Sequence, residues 1–221
     1  MKAMILAAGR GQRLRPLTDT LPKPLVPVNG KPLIVYHLEK LAAIGIKEVV
    51  INTAWLGHQI PQALGNGDKW QLTIHYIHET EALETGGGIC NALPLLGDEP
   101  FFVINGDVFV EYLPDSLADM QLPDNCLAHL WLVDNPEHNP SGDFGLSNHY
   151  LQNKSETMLT FSGMGIYHPK LFDKAPTGAF GTPLLIRPAA DKQLIHAEHF
   201  TGLWCDVGTI ERLHQLEKQI Q

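Results

Sequence analysis

Residues 2–18 read KAMILAAGRGQRLRPLT. The apolar run from Lys2 to Ala8 is short, unbroken and ends in glycine, the pattern of a buried strand that stops at a tight turn. A loop of small and basic residues follows. Gly9 and Gly11 are free to adopt positive φ, and small residues let backbone N–H groups come close to phosphate oxygens. Arg13 and Arg15 add charge where the oxygens of a leaving phosphate would lie. The loop is not the dinucleotide-binding fingerprint, because the third glycine of GxGxxG is missing; nor is it a P-loop, because no Gly-Lys-Ser/Thr closes it. Its continuation, LPKPLVPV over residues 21–28, holds Lys23 between two prolines. Pro22 and Pro24 restrict the backbone on either side, so the lysine is presented rigidly, as a phosphate clamp would be.

The alternation continues outward. Residues 32–44 space Leu33, Ile34, Leu38, Leu41 and Ala42 as a helix does, and Gly45 stops it. Residues 48–52 (EVVIN) read as the next strand, 57–64 as a helix, 72–77 as a strand and 85–96 as a helix. A fourth strand, 100–104 (PFFVI), ends at Asn105-Gly106-Asp107. Strands separated by helices imply right-handed crossovers, and predict an α/β fold with a Rossmann-like, mainly parallel central sheet flanked by helices. Beyond about residue 125 the rhythm changes. Residues 127–133 and 157–167 read as long strands with 143–151 pairing between them, followed by a short helix near 181–190, a strand over 194–199 and a final helix from Thr209. No repeat or linker divides the chain, so a single domain over residues 1–221 is expected.

With 221 residues, 44% hydrophobic and 18% charged, the composition is that of a globular domain with a well-buried core. No apolar run approaches the roughly 20 residues of a membrane span. The N-terminal apolar stretch is seven residues long, Ala3 to Gly9, and arginines follow it closely, so a cytoplasmic rather than secreted protein is expected. Cys90, Cys126 and Cys205 are odd in number and far apart, and read as reduced structural thiols. The net charge of −8 argues against nucleic acid as a partner. It is unevenly placed: residues 1–40 hold seven Lys/Arg against two acidic residues, a net +5, while the remainder holds nine against 22, a net −13. A compact basic segment in an acidic protein suits a small polyanion such as a triphosphate.

Asp107 lies just past a central strand, where α/β sheets place ligands. Asp206 follows a second strand-like segment, Leu203 to Cys205. Two carboxylates with phosphate oxygens and water make a Mg²⁺ site; alternatively, Asn-Gly-Asp is a turn and Asp206 caps the final helix. LAAGRGQRLRPLT with PKPLVPV resembles the signature of the sugar-1-phosphate nucleotidylyltransferases. Leu83-Glu-Thr-Gly-Gly-Gly88, Asn105-Gly-Asp107 and Asp206-Val-Gly-Thr209 follow in that family's order. Within it, the chain is similar to the N-acetylmuramate-1-phosphate uridylyltransferases of cell-wall recycling, through AWLG (54–57), LETGGGI, VDNP (133–136), GDF and FSG (161–163).

The resemblance implies the nucleotidyltransferase fold, with a nucleotide-binding half over about 1–125 and a smaller acceptor-binding half over about 126–221. Ala8, Gly9, Gly11 and Gln12 would line the nucleotide. Arg13 would contact the β- and γ-phosphates and Lys23 the α-phosphate, the two catalytic cations. Glu79 stands where related uridylyl- and thymidylyltransferases often present a glutamine to the base, and Glu84-Thr85 would follow as backbone reading the base edge, with Glu84 replacing a common glycine. Asp107 and Asp206 would hold Mg²⁺. Asn105, Asp143 and Ser162 are candidates for the acceptor sugar, although Asp143 also suits a turn and Ser162 a core hydroxyl. The implied reaction is uridylyl transfer from UTP to N-acetylmuramic acid 1-phosphate, giving UDP-N-acetylmuramic acid and pyrophosphate. The attacking phosphate is already ionised, so no general base is needed, in keeping with the lack of a Ser/His/Asp constellation. Mannose-1-phosphate guanylyl transfer, choline-phosphate cytidylyl transfer and a non-catalytic nucleotide-sugar sensor are the alternatives. The oligomeric state is open.

Overall fold

In the computed structural model, which describes residues 1–220, the apolar run that opens the chain is strand β1 (Ala3–Leu6). Ala3 and Ile5 point into one core and Met4 into another, so the strand, buried on both faces, carries no polar residue. Helix α1 (Leu17–Thr20) and a separate hairpin of β2 (Pro27–Val28) and β3 (Lys31–Pro32) follow. Then α2 (Leu33–Ala43), β4 (Glu48–Thr53), α3 (Gln59–Leu64), β5 (Thr73–His78), α4 (Glu84–Leu96) and β6 (Phe101–Asn105) alternate as the periodicity predicts. Next, β7 (Val108–Val110) leaves the main sheet. The second half contains β8 (Ala128–Val133), β9 (Phe144–Ser147), β10 (Tyr150–Gln152), β11 (Met158–Tyr167), α5 (Pro183–Ala190), β12 (Ile195–His199), β13 (Trp204–Asp206) and α6 (Ile210–Gln219).

Among the described residues, nine strands form one sheet in the order β5-β4-β1-β6-β11-β8-β12-β10-β9. β5, β4, β1 and β6 are parallel neighbours. β11 runs antiparallel to β6 and β8, and β12 runs parallel to β8. The sheet is therefore mainly parallel in direction, with β11 and β10 reversed. Residues 143–151 do not pair between the two long strands: β8 and β11 pair directly, and the β9–β10 hairpin sits at the edge of the sheet. A bulge between Phe161 and Gly165, with Gly163 at φ +81°, explains the difference. It divides β11 so that Met164–Tyr167 pair with β6 while Met158 and Leu159 pair with β9.

α2 and α3 cover one face through Ile34, Leu38, Leu41, Ile60 and Leu64. α4 and α5 cover the other through Ile89, Ala92, Leu96, Ile186 and Ala189. α6 packs Leu213 and Leu216 against Leu14, Val26, Val28 and Phe109, in a third cluster beneath the basic loop. The three cysteines are free thiols. Burial raises the pKa of each, that of Cys205 to about 11 with a contribution from Asp206. Among the described residues no helix is long and apolar enough to cross a membrane.

His37 lies on α2, 1% exposed. Burial, reinforced by Lys40 and opposed more weakly by the Val108 backbone and Asp107, lowers its pKa from 6.5 to about 3. The folded chain thus keeps His37 neutral where the unfolded chain would protonate it. Its contribution to stability is complete above pH 6.5 and is lost as the pH falls toward 3. At pH 5 the loss from this one group should reach about 2 kcal/mol. Urea unfolding of wild type and His37→Leu at pH 7.5 and 5.0 checks this, and the variant should lose less stability than wild type across that interval.

Candidate active site

The carboxyl ends of β1, β4 and β6 meet at one edge of the sheet, and the chain leaves each through a turn. After β1 the Leu6 carbonyl accepts the Gly106 N–H at 2.8 Å, and the Ala7 N–H donates to Asn52 Oδ1 at 2.8 Å. The loop then turns at Gly11, φ +63°. A Cβ there would lie 2.9 Å from Thr18 Cγ2 and 3.0 Å from Lys23 Cβ, so only glycine lets the loop fold onto the lysine. Thr18 Oγ1 fastens the turn by donating to the Gly11 carbonyl at 2.7 Å, and Trp55 Nε1 donates to the Thr18 carbonyl at 3.1 Å.

Lys23 opens a short 3₁₀ turn between its two prolines. Its side chain is 8% exposed and its Nζ reaches Asp107 Oδ2 at 2.6 Å. Asp107 follows β6, and its carbonyl accepts the Val207 N–H at 2.9 Å, extending the antiparallel β7–β13 ladder. That ladder sets Asp206 near Asp107. Asp206 Oδ2 meets Arg212 Nη1 at 3.0 Å and His138 Nε2 at 3.2 Å, while Oδ1 is buried without a hydrogen-bond partner. Thr209, not Asp206, caps α6, its Oγ1 accepting the Arg212 N–H.

These elements enclose a cavity of about 610 Å³. Ala8, Gly9, Arg10, Lys23 and Asp107 line it, together with Asn52, Glu79, Glu84 and Thr85. A smaller cavity of about 200 Å³ shares Leu6, Thr85 and Asn105 with it and extends toward Phe161, Gly163 and Thr182. Three consecutive glycines, Gly86 to Gly88, follow Thr85 in α4. A Cβ on Gly86 would collide with the Phe180 ring and one on Gly87 with the Gly178 carbonyl, while one on Gly88 would lie 2.9 Å from both Asn52 Nδ2 and Glu79 Oε1. The helix can approach the second half of the chain and the Asn52–Glu79 pair only because these positions have no side chain. Gly86 and Gly87 N–H groups donate to the Phe180 carbonyl.

The sequence matches the nucleotidyl transferase family over residues 2–221. The chain belongs to that family. It is 49% identical over 225 residues to the N-acetylmuramate alpha-1-phosphate uridylyltransferase of Neisseria meningitidis serogroup B, covering 98% of this chain and 97% of that protein. It is 34% identical to a mannose-1-phosphate guanyltransferase of Schizosaccharomyces pombe, over 94% of this chain and 61% of that protein. In fold it superposes with a TM-score of 0.87 on a Bacillus anthracis structure assigned as a glucose-1-phosphate thymidylyltransferase, at 21% identity and covering 99% and 94% of the two chains.

The predicted residues of this nucleotidyl transferase divide into two groups. Ala8, Gly9, Lys23, Glu79, Glu84, Thr85, Asn105 and Asp107 converge on the cavity. Gly11 lies behind it as the pivot of the loop, and Gln12 and Arg13 sit on the following turn, away from the cavity lining. Arg10 lines the cavity instead, its guanidinium 4.6 Å from the centre of the Trp55 ring; nothing in the sequence marked it beyond its place between Gly9 and Gly11. Asp143 and Ser162, expected at the acceptor sugar, line neither cavity. Asp143 Oδ2 accepts the Phe161 N–H at 2.9 Å and so ties its loop to β11. Ser162 is fully buried; its hydroxyl donates to the Trp131 carbonyl at 2.6 Å and accepts the Met164 N–H at 3.1 Å, holding the bulge. Glu84 takes φ +58°, a conformation that favours glycine. Asn52 and His138 are brought in by folding alone.

Enzymes of this family use a divalent cation. Among the described residues no cluster of three or more His, Cys, Asp or Glu side chains gathers; a hard divalent ion can be held by as few as one or two carboxylates, with phosphate oxygens and water completing its shell. The buried Asp206 Oδ1, which has no hydrogen-bond partner, fits that role.

Gly88→Ala should lower stability by about 1–3 kcal/mol, because its methyl group is forced into the Asn52–Glu79 pair. Gly9→Ala, where no atom lies within 4 Å of the new Cβ, should stay within about 0.5 kcal/mol of wild type. Urea unfolding of the two variants side by side tests the assignment of tight and open glycines.

Proposed function

We propose that this nucleotidyl transferase moves a uridylyl group from UTP to N-acetylmuramic acid 1-phosphate, releasing pyrophosphate and forming UDP-N-acetylmuramic acid, with Mg²⁺, in cytoplasmic peptidoglycan recycling. The observation that carries the chemistry is the pairing of the buried Lys23 with the half-buried Asp107 at 2.6 Å on the wall of the 610 Å³ cavity. The substrates are taken from the 49% identity to the Neisseria uridylyltransferase.

The loop from Ala8 to Gln12 cradles the triphosphate with its backbone, and Lys23 holds the α-phosphate. Arg13 swings from its turn onto the β- and γ-phosphates, with Arg10 beside them. The base lies at the Glu79 end, its edge toward Glu84-Thr85. The acceptor enters through the smaller cavity, past Asn105, so residues of about 1–125 bind the nucleotide and about 126–221 complete the sugar side within one functional unit. Mg²⁺, held by Asp107 and Asp206, supplies neutralising charge when bound. The acceptor's phosphate oxygen attacks the α-phosphorus in line with the departing pyrophosphate. That attacking group is already anionic, so the chain need not remove a proton. It must bring two anions within about 3–3.5 Å and stabilise the charge that moves onto pyrophosphate, for which Lys23, with Arg10 and Arg13, supplies the positive charge.

Guanylyl transfer to mannose 1-phosphate is the second reading, favoured by the carboxylate of Glu79, which accepts hydrogen bonds from guanine as it does from uracil.

Pyrophosphate release, with UTP, dTTP, GTP and CTP crossed against muramic, N-acetylglucosamine, glucose and mannose 1-phosphates, tests both. UTP with the muramic acceptor should be turned over in preference to every other pair. Lys23→Ala and Asp107→Ala should each lower kcat about 10²–10³-fold without preventing folding, and chelation should abolish turnover until Mg²⁺ is restored. Unchanged turnover in either variant would overturn the assigned chemistry.

A further inference from the structure

Glu79 is held by a partner whose own orientation is fixed from outside the cavity. Asn52 stands where the β1–β4 ladder ends, paired with Leu6, and its Oδ1 accepts the Ala7 N–H at 2.8 Å. A backbone N–H can only donate. The Asn52 amide therefore cannot be turned round, and its Nδ2 faces Glu79, donating to Oε1 at 2.7 Å. The pair is almost wholly buried: Asn52 is 2% and Glu79 4% exposed. Gly88 closes it from behind, since a Cβ there would lie 2.9 Å from each bonded atom. Both side chains line the large cavity.

A carboxylate offers about four lone-pair sites and no donor. Asn52 occupies one site on Oε1, and the contact of Oε2 with the Leu83 N–H is long, 3.4 Å. Acceptor capacity is left toward the cavity. Resting on the placement of the nucleobase at the Glu79 end, we infer that Asn52 is a positioning residue that fixes Glu79 as an obligate acceptor, so that the cavity selects keto bases bearing a ring N–H (uracil, thymine, guanine) and rejects cytosine and adenine. In the rejected bases the corresponding ring nitrogen is itself an acceptor, and facing the carboxylate in a buried site it is repelled and left unpaired. The same geometry dictates what a glutamine at position 79 would do. Asn52 Nδ2 would capture the oxygen of the new amide, whose nitrogen would then turn a donor toward the base.

Polarity can be reversed without changing the pair's charge or volume. In the double variant Asn52→Asp with Glu79→Gln, the carboxylate now at position 52 accepts from the Ala7 N–H and from the amide nitrogen at position 79. The amide oxygen at position 79 is thereby returned to the cavity. The test is calorimetric binding of UTP and CTP to wild type, Glu79→Gln and the double variant, with circular dichroism to establish folding and pyrophosphate release recorded on the same samples. Wild type should bind UTP at least about 100-fold more tightly than CTP. Glu79→Gln should bring that ratio close to or below one, and the double variant should restore at least about tenfold of it. A wild type that binds the two nucleotides equally, a Glu79→Gln variant that keeps the wild-type ratio, or a double variant no better than Glu79→Gln would overturn the inference. The first of these is decided on wild type alone, whatever the variants' stability. Wild type that binds UTP selectively but releases no pyrophosphate with any acceptor would overturn the catalytic reading and leave the polarity standing.

Discussion

Strand β1 is hydrogen-bonded along both edges, to β4 and β6, and covered by core on both faces. The polar obligations of the chain around it are therefore met at its carboxyl end, where the three strands stop together. The Ala7 N–H needs an acceptor and takes Asn52; the Leu6 carbonyl needs a donor and takes Gly106. A buried backbone group left unpaired there would cost about 1–3 kcal/mol. Satisfying these groups brings the basic loop, the end of β4 and the turn before Asp107 to one place, and that place is the large cavity.

The Lys23–Asp107 pair is held on this frame against a desolvation penalty. A lysine with its side chain 8% exposed has lost most of its hydration, and a single 2.6 Å partner that is itself more exposed offsets this only in part. The sequence surrounds the lysine with prolines, so that less backbone entropy remains to be lost when it is held. A cation kept in place before substrate arrives is the arrangement that stabilises a developing anion without reorganisation.

The glycines of α4 show a different kind of constraint. They weaken the helix by propensity, at roughly 1 kcal/mol each. They are retained at positions where Phe180, the Gly178 carbonyl and the Asn52–Glu79 pair come too close for a Cβ. Local stability is given up so that one helix can touch the second half of the chain and the carboxylate end of the cavity at once.

Periodicity and punctuation were enough to read the alternation from β1 to β6, because buried strands and amphipathic helices impose short-range patterns that do not depend on what they pack against. Lys23 was legible because two prolines mark it, and Asp107 because Asn-Gly-Asp ends a strand. The β9–β10 edge hairpin was not legible, since it depends on a bulge at Gly163 that redirects pairing between segments far apart in sequence. Ser162 and Asp143 were candidates for a sugar, with a core hydroxyl and a turn as the alternatives; only the packed structure shows their polar atoms engaged by Trp131, Met164 and Phe161. The sequence by itself determined the fold class, the glycine-rich loop after β1 and the proline-flanked presentation of Lys23 beside it, because each rests on neighbouring residues. The tertiary structure alone decided which polar groups face the cavity and with what polarity, because a hydrogen bond such as Asn52 to Glu79 joins residues whose proximity no local rule encodes.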